Sequence, residues 1–140
     1  MVRTFIDSGV LLAAAREVSD EIGLRALRVL DDPDREFASS MFVRLEVMPK
    51  AVYYKQEREA EFYATFFEAV KHWPGPLDAI VNDAYEESCA CGMRAVDALH
   101  VAAAASAGCE ELVTTEKKGK PFFRTSKVKV VSLRPSADSA

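Results

Sequence analysis

Short apolar runs of strand type, parted by segments of helical spacing, constrain this chain more than any other feature. Thr4-Phe5-Ile6, Glu36-Phe37-Ala38-Ser39 and Leu112-Val113-Thr114-Thr115 are the first three runs, and Val128-Lys129-Val130-Val131-Ser132-Leu133 is the last. Long stretches of helical periodicity separate the first three. Strands joined through helices pair in parallel, because a parallel neighbour is reached only by a crossover. The expected fold is therefore α/β, a three-layer α/β/α sandwich around a mostly parallel sheet.

Asp7-Ser8-Gly9 turns the chain after the first run, and a helix starts at Val10 with Ser8 or Asp7 as its N-cap. A second helix is expected over residues 19–30, with Ile22, Leu24, Leu27 and Leu30 as its apolar stripe. Ser40 caps a third, in which Phe42, Leu45 and Met48 face inward. Pro49 should end or kink it, because the ring clashes with the carbonyl four residues earlier. Residues 58–72 form the clearest amphipathic helix, with Phe62, Tyr63, Phe66, Phe67 and Val70 on one side. Such a stripe is core by default, but its surplus of rings suggests that part of it lines a dimer or partner groove. Helices over 77–91 and 94–107 follow, broken at Gly92 and closed by Gly108. One domain over residues 1–135 and a frayed tail over 136–140 complete the expected organisation.

The 140 residues suit a single domain. No apolar run reaches the ~18 residues needed to span a bilayer, and the start carries no long apolar leader. A cytoplasmic protein with no membrane partner is expected. Cys89, Cys91 and Cys109 form no disulfide framework and, beside only two histidines, supply a zinc site poorly, so they are expected to be packing residues. The net charge of −4 gives no global sign of a nucleic-acid binder. Its distribution does, because residues 117–134 carry Lys117, Lys118, Lys120, Arg124, Lys127, Lys129 and Arg134 and no acid. That run can meet a polyanion locally; its ordinary alternative is a solvated loop and strand edge.

Three acids carry the chemistry. In an open parallel sheet, sites form beyond the carboxyl ends of the strands. Asp7 follows the first strand and Glu116 follows the third, so they share an edge if those strands are neighbours. Asp97 stands in Ala95-Val96-Asp97-Ala98-Leu99-His100-Val101-Ala102-Ala103-Ala104, an almost wholly apolar helix. A carboxylate there needs a partner, and no Lys or Arg lies at i+3 or i+4. A divalent cation shared with Asp7 would supply it; the alternative is a wet helix face where Asp97 meets Arg94. Carboxylates suit Mg²⁺ or Mn²⁺ rather than zinc, and such sites serve phosphoryl transfer.

These residues also carry a resemblance. Thr4-Phe5-Ile6-Asp7-Ser8-Gly9-Val10-Leu11 resembles the opening motif of PIN domains. The segment around Asp97 resembles their third acidic motif, and Leu112-Val113-Thr114-Thr115-Glu116 the strand that ends in the fourth acid. Glu46, in Val43-Arg44-Leu45-Glu46, occupies the place of the second. The resemblance spans essentially the whole chain. It implies a Mg²⁺- or Mn²⁺-dependent endoribonuclease with Asp7, Glu46, Asp97 and Glu116 as catalytic residues, the first three binding metal. In the compact VapC-type subgroup it further implies a toxin with an antitoxin partner, and usually a homodimer. Three positions depart from the pattern. Glu116 replaces the usual Asp, Lys118 stands where a further acid often follows, and Pro49 sits in the helix after Glu46.

Ser8 and Thr115 flank two acids and are candidates for holding metal-bound water or a phosphate oxygen, with Lys117, Lys118 and Lys120 as the adjoining substrate contacts. Their plainer roles are a cap, a strand end and a solvated run. His100, one turn past Asp97, is more simply a helix residue with a satisfied partner. A catalytically weak PIN-like RNA-binding module is the alternative to the nuclease. A phosphoacceptor receiver is disfavoured, because no acid pair follows the first strand and Lys120-Pro121 follows no strand of its own.

Overall fold

The computed structural model describes residues 1–16 and 20–135. Four strands, β1 (Val2–Ile6), β2 (Arg35–Ala38), β3 (Glu111–Thr114) and β4 (Lys129–Ser132), form one parallel sheet in the order β2-β1-β3-β4. Six helices flank it: α1 (Ser8–Ala15), α2 (Glu21–Leu30), α3 (Met41–Tyr53), α4 (Glu57–Ala69), α5 (Leu77–Cys91) and α6 (Ala95–Ser106). The expected α/β sandwich is the observed one. The tail over 136–140 and the expected start of the second helix at Ser19 lie outside the described residues.

The strand order places the site. The chain leaves β1 for β2 on one side, then crosses to β3 on the other. The crevice beyond β1 and β3 is thus the topological switch point of the sheet, where open α/β folds place ligands. Register sharpens this: Ile6 pairs with Val113, so Asp7 and Thr114 emerge side by side. At the opposite end, Arg35, Thr4 and Glu111 form a hydrogen-bonded cluster that ties β2, β1 and β3 together.

The core lies on both faces of β1 and β3. Phe5, Ile6, Leu112 and Val113 are fully buried against Val10, Leu11, Val43, Tyr63, Val101 and the Ala-rich α6. Small side chains on α6 let its backbone approach the sheet closely. Gly92 and Gly108 end α5 and α6 in left-handed backbone, with φ of 71° and 73°, where only glycine avoids a Cβ clash. The free edge of β2 is covered by the chain after α4, where Lys71 and His72 donate backbone bonds to Phe37.

Several local expectations change. Pro49 does not end α3, which continues to Tyr53. The missing N–H frees the carbonyl of exposed Leu45, which solvent can satisfy, while buried Val47 and Ala51 hold the helix against the core on both sides of the proline. The fully inward stripe of α3 is Val43, Val47 and Ala51, at i, i+4 and i+8; Phe42 and Met48 pack partly against the core as expected, whereas Leu45 is 71% exposed. On α2, Gly23 and Ala26 are buried and Leu24 faces out. The aromatic stripe of α4 is core: Tyr63, Phe66 and Phe67 are buried, and Phe66 and Phe67 stack in sequence onto Phe37 and Trp73. Phe62 is only partly buried and lines, with Phe66, Phe37 and Leu30, a groove at the surface. Cys89 is exposed rather than packed, and all three cysteines are free. A 3₁₀ turn, Pro121–Arg124, buries Phe122 in the core between β3 and β4 in sequence, where local spacing gave no sign of an element.

Candidate functional site

Asp7 is the centre of the switch-point crevice. Its backbone N–H donates to Val113 O at 3.0 Å, a continuation of the β1–β3 ladder that fixes its position. Its side chain is the N-cap of α1, accepting from Ser8 N–H at Oδ1 (2.9 Å), and Thr114 Oγ1 donates to Oδ2 at 2.7 Å. The residue is 8% exposed. Burial pushes its carboxyl above the ordinary aspartate range, against the lowering influence of His100, Thr114 and Ser8. Glu46 also raises it, placing a second acid nearby.

Asp97 lies in the first turn of α6, where the positive end of the helix dipole favours a carboxylate. It is half-buried, and desolvation followed by repulsion from Asp7 raises its pKa; Arg94 lowers it and Glu116 raises it further. So Asp97 faces Asp7 and Glu116, not only the wet side of its helix. Each of the four acids is within electrostatic reach of another: Glu46 raises Asp7, and Asp7 and Glu116 raise Asp97. These pairs are 19 to 90 residues apart in sequence and are brought together by the sheet with α3 and α6 packed beside it.

Glu46 projects from α3 into the crevice with its side chain 40% exposed. Its Oε1 accepts from both Ser8 Oγ and His100 Nε2, the latter at 2.6 Å. Those bonds hold its carboxyl below the usual range, His100 contributing most. Glu116 follows β3; its N–H donates to Thr114 Oγ1 at 3.1 Å and its carbonyl accepts from Ser132 Oγ at 2.7 Å, which fix the backbone at this corner. Lys117, Lys118 and Lys120 are exposed immediately beyond it, around the turn at Gly119.

Two residues matter more than the sequence indicated. His100 is 1% exposed, reaches Glu46 and lies 3.7 Å from Asp7 Oδ1. Its Nδ1 is buried without a partner among the described residues, so we assign the proton to Nε2, facing the acids. The available signal was the same as for Asp97: a lone polar side chain in an apolar helix, here one turn on and on the same face. The other residue is Thr114. Strand alternation points its hydroxyl at Asp7, whereas Thr115 turns toward α1, where a Cβ on Gly9 would collide with the Thr115 hydroxyl.

The donor set consists of carboxylates and hydroxyls, with no thiol, and suits a hard cation. Asp7 and Asp97 repel each other across a half-dry crevice, and a cation between them would relieve what burial imposes. Among the described residues no three His, Cys, Asp or Glu side chains form a ready-made cage.

A scan against protein-family models finds no match, and a search of curated proteins finds no similar sequence. Solved structures do match. A toxin–antitoxin complex from Klebsiella pneumoniae superposes with a TM-score of 0.71 at 20% identity, covering 94% of this chain and 98% of that one. DNA-bound VapBC from Salmonella typhimurium gives 0.70 at 15% identity, covering 96% and 100%. VapBC2 from Rickettsia felis, bound to a promoter fragment, gives 0.69 at 15%, covering 94% and 98%. The chain has the VapC-like PIN fold. At these identities the likeness is one of backbone. The acid cluster sits at the switch point of this PIN fold.

Proposed function

We propose that this PIN domain is a Mg²⁺- or Mn²⁺-dependent endoribonuclease that hydrolyses RNA phosphodiester bonds. The observation that carries the reading is the placement of Asp7 just past β1, at the switch point of the sheet, with Glu46 held beside it through Ser8 and His100, and Asp7 and Glu116 both raising the pKa of half-buried Asp97. Asp7 and Asp97 would hold the cation directly, with Glu46 beside them. Bound there, the cation would offset phosphate charge and lower the pKa of water. Glu46 Oε1 is occupied by Ser8 and His100, which leaves Oε2 to accept a hydrogen from the attacking water. Glu116 would orient water near Asp97. Ser8, through Glu46, and Thr115 would adjoin phosphate oxygens, and Lys117, Lys118 and Lys120 would meet the strand beyond. Metal-dependent cleavage of a mixed RNA pool, abolished in Asp97→Asn with the fold unchanged by circular dichroism, tests the reading. RNA binding without cleavage at saturating Mg²⁺ would identify a binding module instead.

We further propose the toxin role, with an antitoxin as protein partner, from the toxin–antitoxin complexes that share the fold. No helix among the described residues is long and apolar enough to cross a membrane, and a cytoplasmic location accords with an RNA substrate.

A homodimer is retained but on a different surface. Met41, Leu45, Val52 and Tyr53 of α3, with Leu77, Val81 and Tyr85 of α5, are all 49–78% exposed. Met41, Leu45, Val52, Tyr53 and Leu77 line one apolar groove, and Val81 and Tyr85 continue it at i+4 and i+8 along α5. Seven large apolar side chains exposed on one face are more than a monomer's scattered surface residues, and such contiguous patches mark interaction sites. A second copy, meeting this face through a two-fold axis, is the proposed occupant.

A further inference from the structure

A second groove opens beside the acid cluster, at the corner where α1, α3 and α4 meet. Its volume is about 480 Å³, and Glu46 forms part of its wall. Three side chains in it have no role in the site described above: Arg16 from the end of α1, and Lys50 and Tyr54 from the end of α3. Lys50 is exposed, one turn past Glu46 on the same helix. The Arg16 side chain is 57% exposed and lies 3.7 Å from Glu59, which shares the same wall. Tyr54 is 63% exposed and packs edge-to-face on Tyr53, with centroids 4.9 Å apart and planes at 88°.

The corner itself is built rather than loose. Lys55, the first residue past the C-cap of α3, takes φ of 56°, the left-handed conformation in which many helices end. Gln56 N–H then donates to Ala51 O at 2.8 Å and Lys55 N–H to Val52 O at 3.1 Å. The result is a tight bend that fixes an exposed aromatic ring beside two cations, next to a carboxylate cluster.

We propose that this groove is a subsite for one nucleotide of single-stranded RNA adjoining the bond to be cut, with the base stacked on Tyr54 and its phosphate between Lys50 and Arg16. The inference rests on the ribonuclease reading and specifies where the strand lies. An aromatic face beside cations is the chemistry by which unstacked bases and their backbone are held without sequence readout. It also answers an electrostatic need. Lys117, Lys118 and Lys120 follow Glu116 in the chain, and Arg16 and Lys50 share a groove wall with Glu46 and Glu59. A polyanion crossing the acids would thus meet both groups of cations. An apolar docking groove would lack these charges, as the α3–α5 face largely does.

The test uses the full chain with Mg²⁺ and a fluorescent eight-nucleotide single-stranded RNA. Tyr54→Ala should raise KM about 10-fold, within the range for removing one stacked base, and Tyr54→Trp should hold KM near wild type. Lys50→Ala should raise KM and lower the salt slope of binding by about 0.7, the value for one single-strand phosphate. Binding is measured in the Asp97→Asn background, so that turnover does not intervene. Lys71→Ala, a cation on the far β2 edge, should change neither quantity. Wild-type cleavage with unchanged KM and salt slope in Tyr54→Ala and Lys50→Ala overturns the subsite and leaves the nuclease reading standing. The same result joined with escape from inhibition by a protein partner also overturns it, assigning the groove to that partner. Absence of any wild-type cleavage would instead overturn the nuclease reading on which the subsite depends.

Discussion

His100 Nε2 lies 2.6 Å from Glu46 Oε1, across 54 residues of sequence, and joins α6 to α3 over the buried side chain of Asp7. With Ser8 on the same oxygen, this hydrogen bond sets which Glu46 oxygen is committed and which remains for water. Groups that orient a catalytic carboxylate change activity by roughly 10–100-fold when removed. His100→Ala should therefore reduce the rate of RNA cleavage by that factor and lower thermal stability, because a buried ring beside Phe5 is removed. His100→Gln, which keeps a donor, should recover part of the rate. Single-turnover kinetics over a Mg²⁺ titration, read beside thermal melts, separate the effect on catalysis from the effect on folding. A full rate in folded His100→Ala would contradict the positioning role.

Asp7 makes the metal-free protein pH-sensitive in a definite direction. Burial raises its folded pKa above the unfolded value, as burial and Asp7 do for Asp97. The folded state therefore binds more protons than the unfolded state between the two pKa values, and stability falls as pH rises through that window. Metal-free protein should melt higher at mildly acid than at neutral pH. Asn is a good N-cap and carries no charge, so Asp7→Asn should stabilise the metal-free protein at pH 7 by roughly 1 kcal/mol, or ~2–8 °C. It should also flatten the pH dependence and abolish cleavage. Differential scanning calorimetry with a chelator present measures the stability changes, and a lower melting temperature in Asp7→Asn at pH 7 would refute them.

Glu116 is one methylene longer than the aspartate that the PIN pattern usually has at its place. It is close enough to Asp97 to raise that carboxyl's pKa. Glu116→Gln should keep metal binding by calorimetry while slowing cleavage ~10–100-fold, and Glu116→Asp should be tolerated. Loss of metal binding in Glu116→Gln would place this side chain directly on the ion.

The lysines after Glu116 should act through charge. Neutralising Lys117, Lys118 and Lys120 together should weaken binding to all RNA sequences alike. It should also reduce the slope of log K against log salt by about 0.7 for each phosphate no longer neutralised. Anisotropy titrations from low to moderate salt report the slope. An unchanged slope would return this run to a solvated loop with no part in binding.

Dimerisation should depend on α3 and α5, not on the aromatic stripe of α4. Leu45→Glu is expected to give a folded monomer of 15.4 kDa by light scattering, against twice that for wild type. Wild type that is monomeric at micromolar concentration would overturn the dimer, and a Leu45→Glu dimer would move it to another face.

Periodicity and turn chemistry in the sequence determined the order and kind of nearly every element of this protein, because hydrophobic spacing and helix caps act over a few residues. Three of its acids were also legible, since a carboxylate in an apolar helix or just past a strand demands a reason wherever the chain goes. Only the tertiary structure decided which helix face is inside. In α3, the sets Phe42–Leu45–Met48 and Val43–Val47–Ala51 both have helical spacing, and packing against α1, α4 and α6 buries the smaller one, leaving Phe42 and Met48 at the border of the core and Leu45 exposed. Register decided that Thr114 rather than Thr115 holds Asp7, since strand parity is set by pairing with β1. The meeting of His100 with Glu46, and of Arg16 with Lys50 and Tyr54, depends on elements far apart in the chain. Local spacing carries no information about such meetings, which exist only once the parallel sheet has closed those distances.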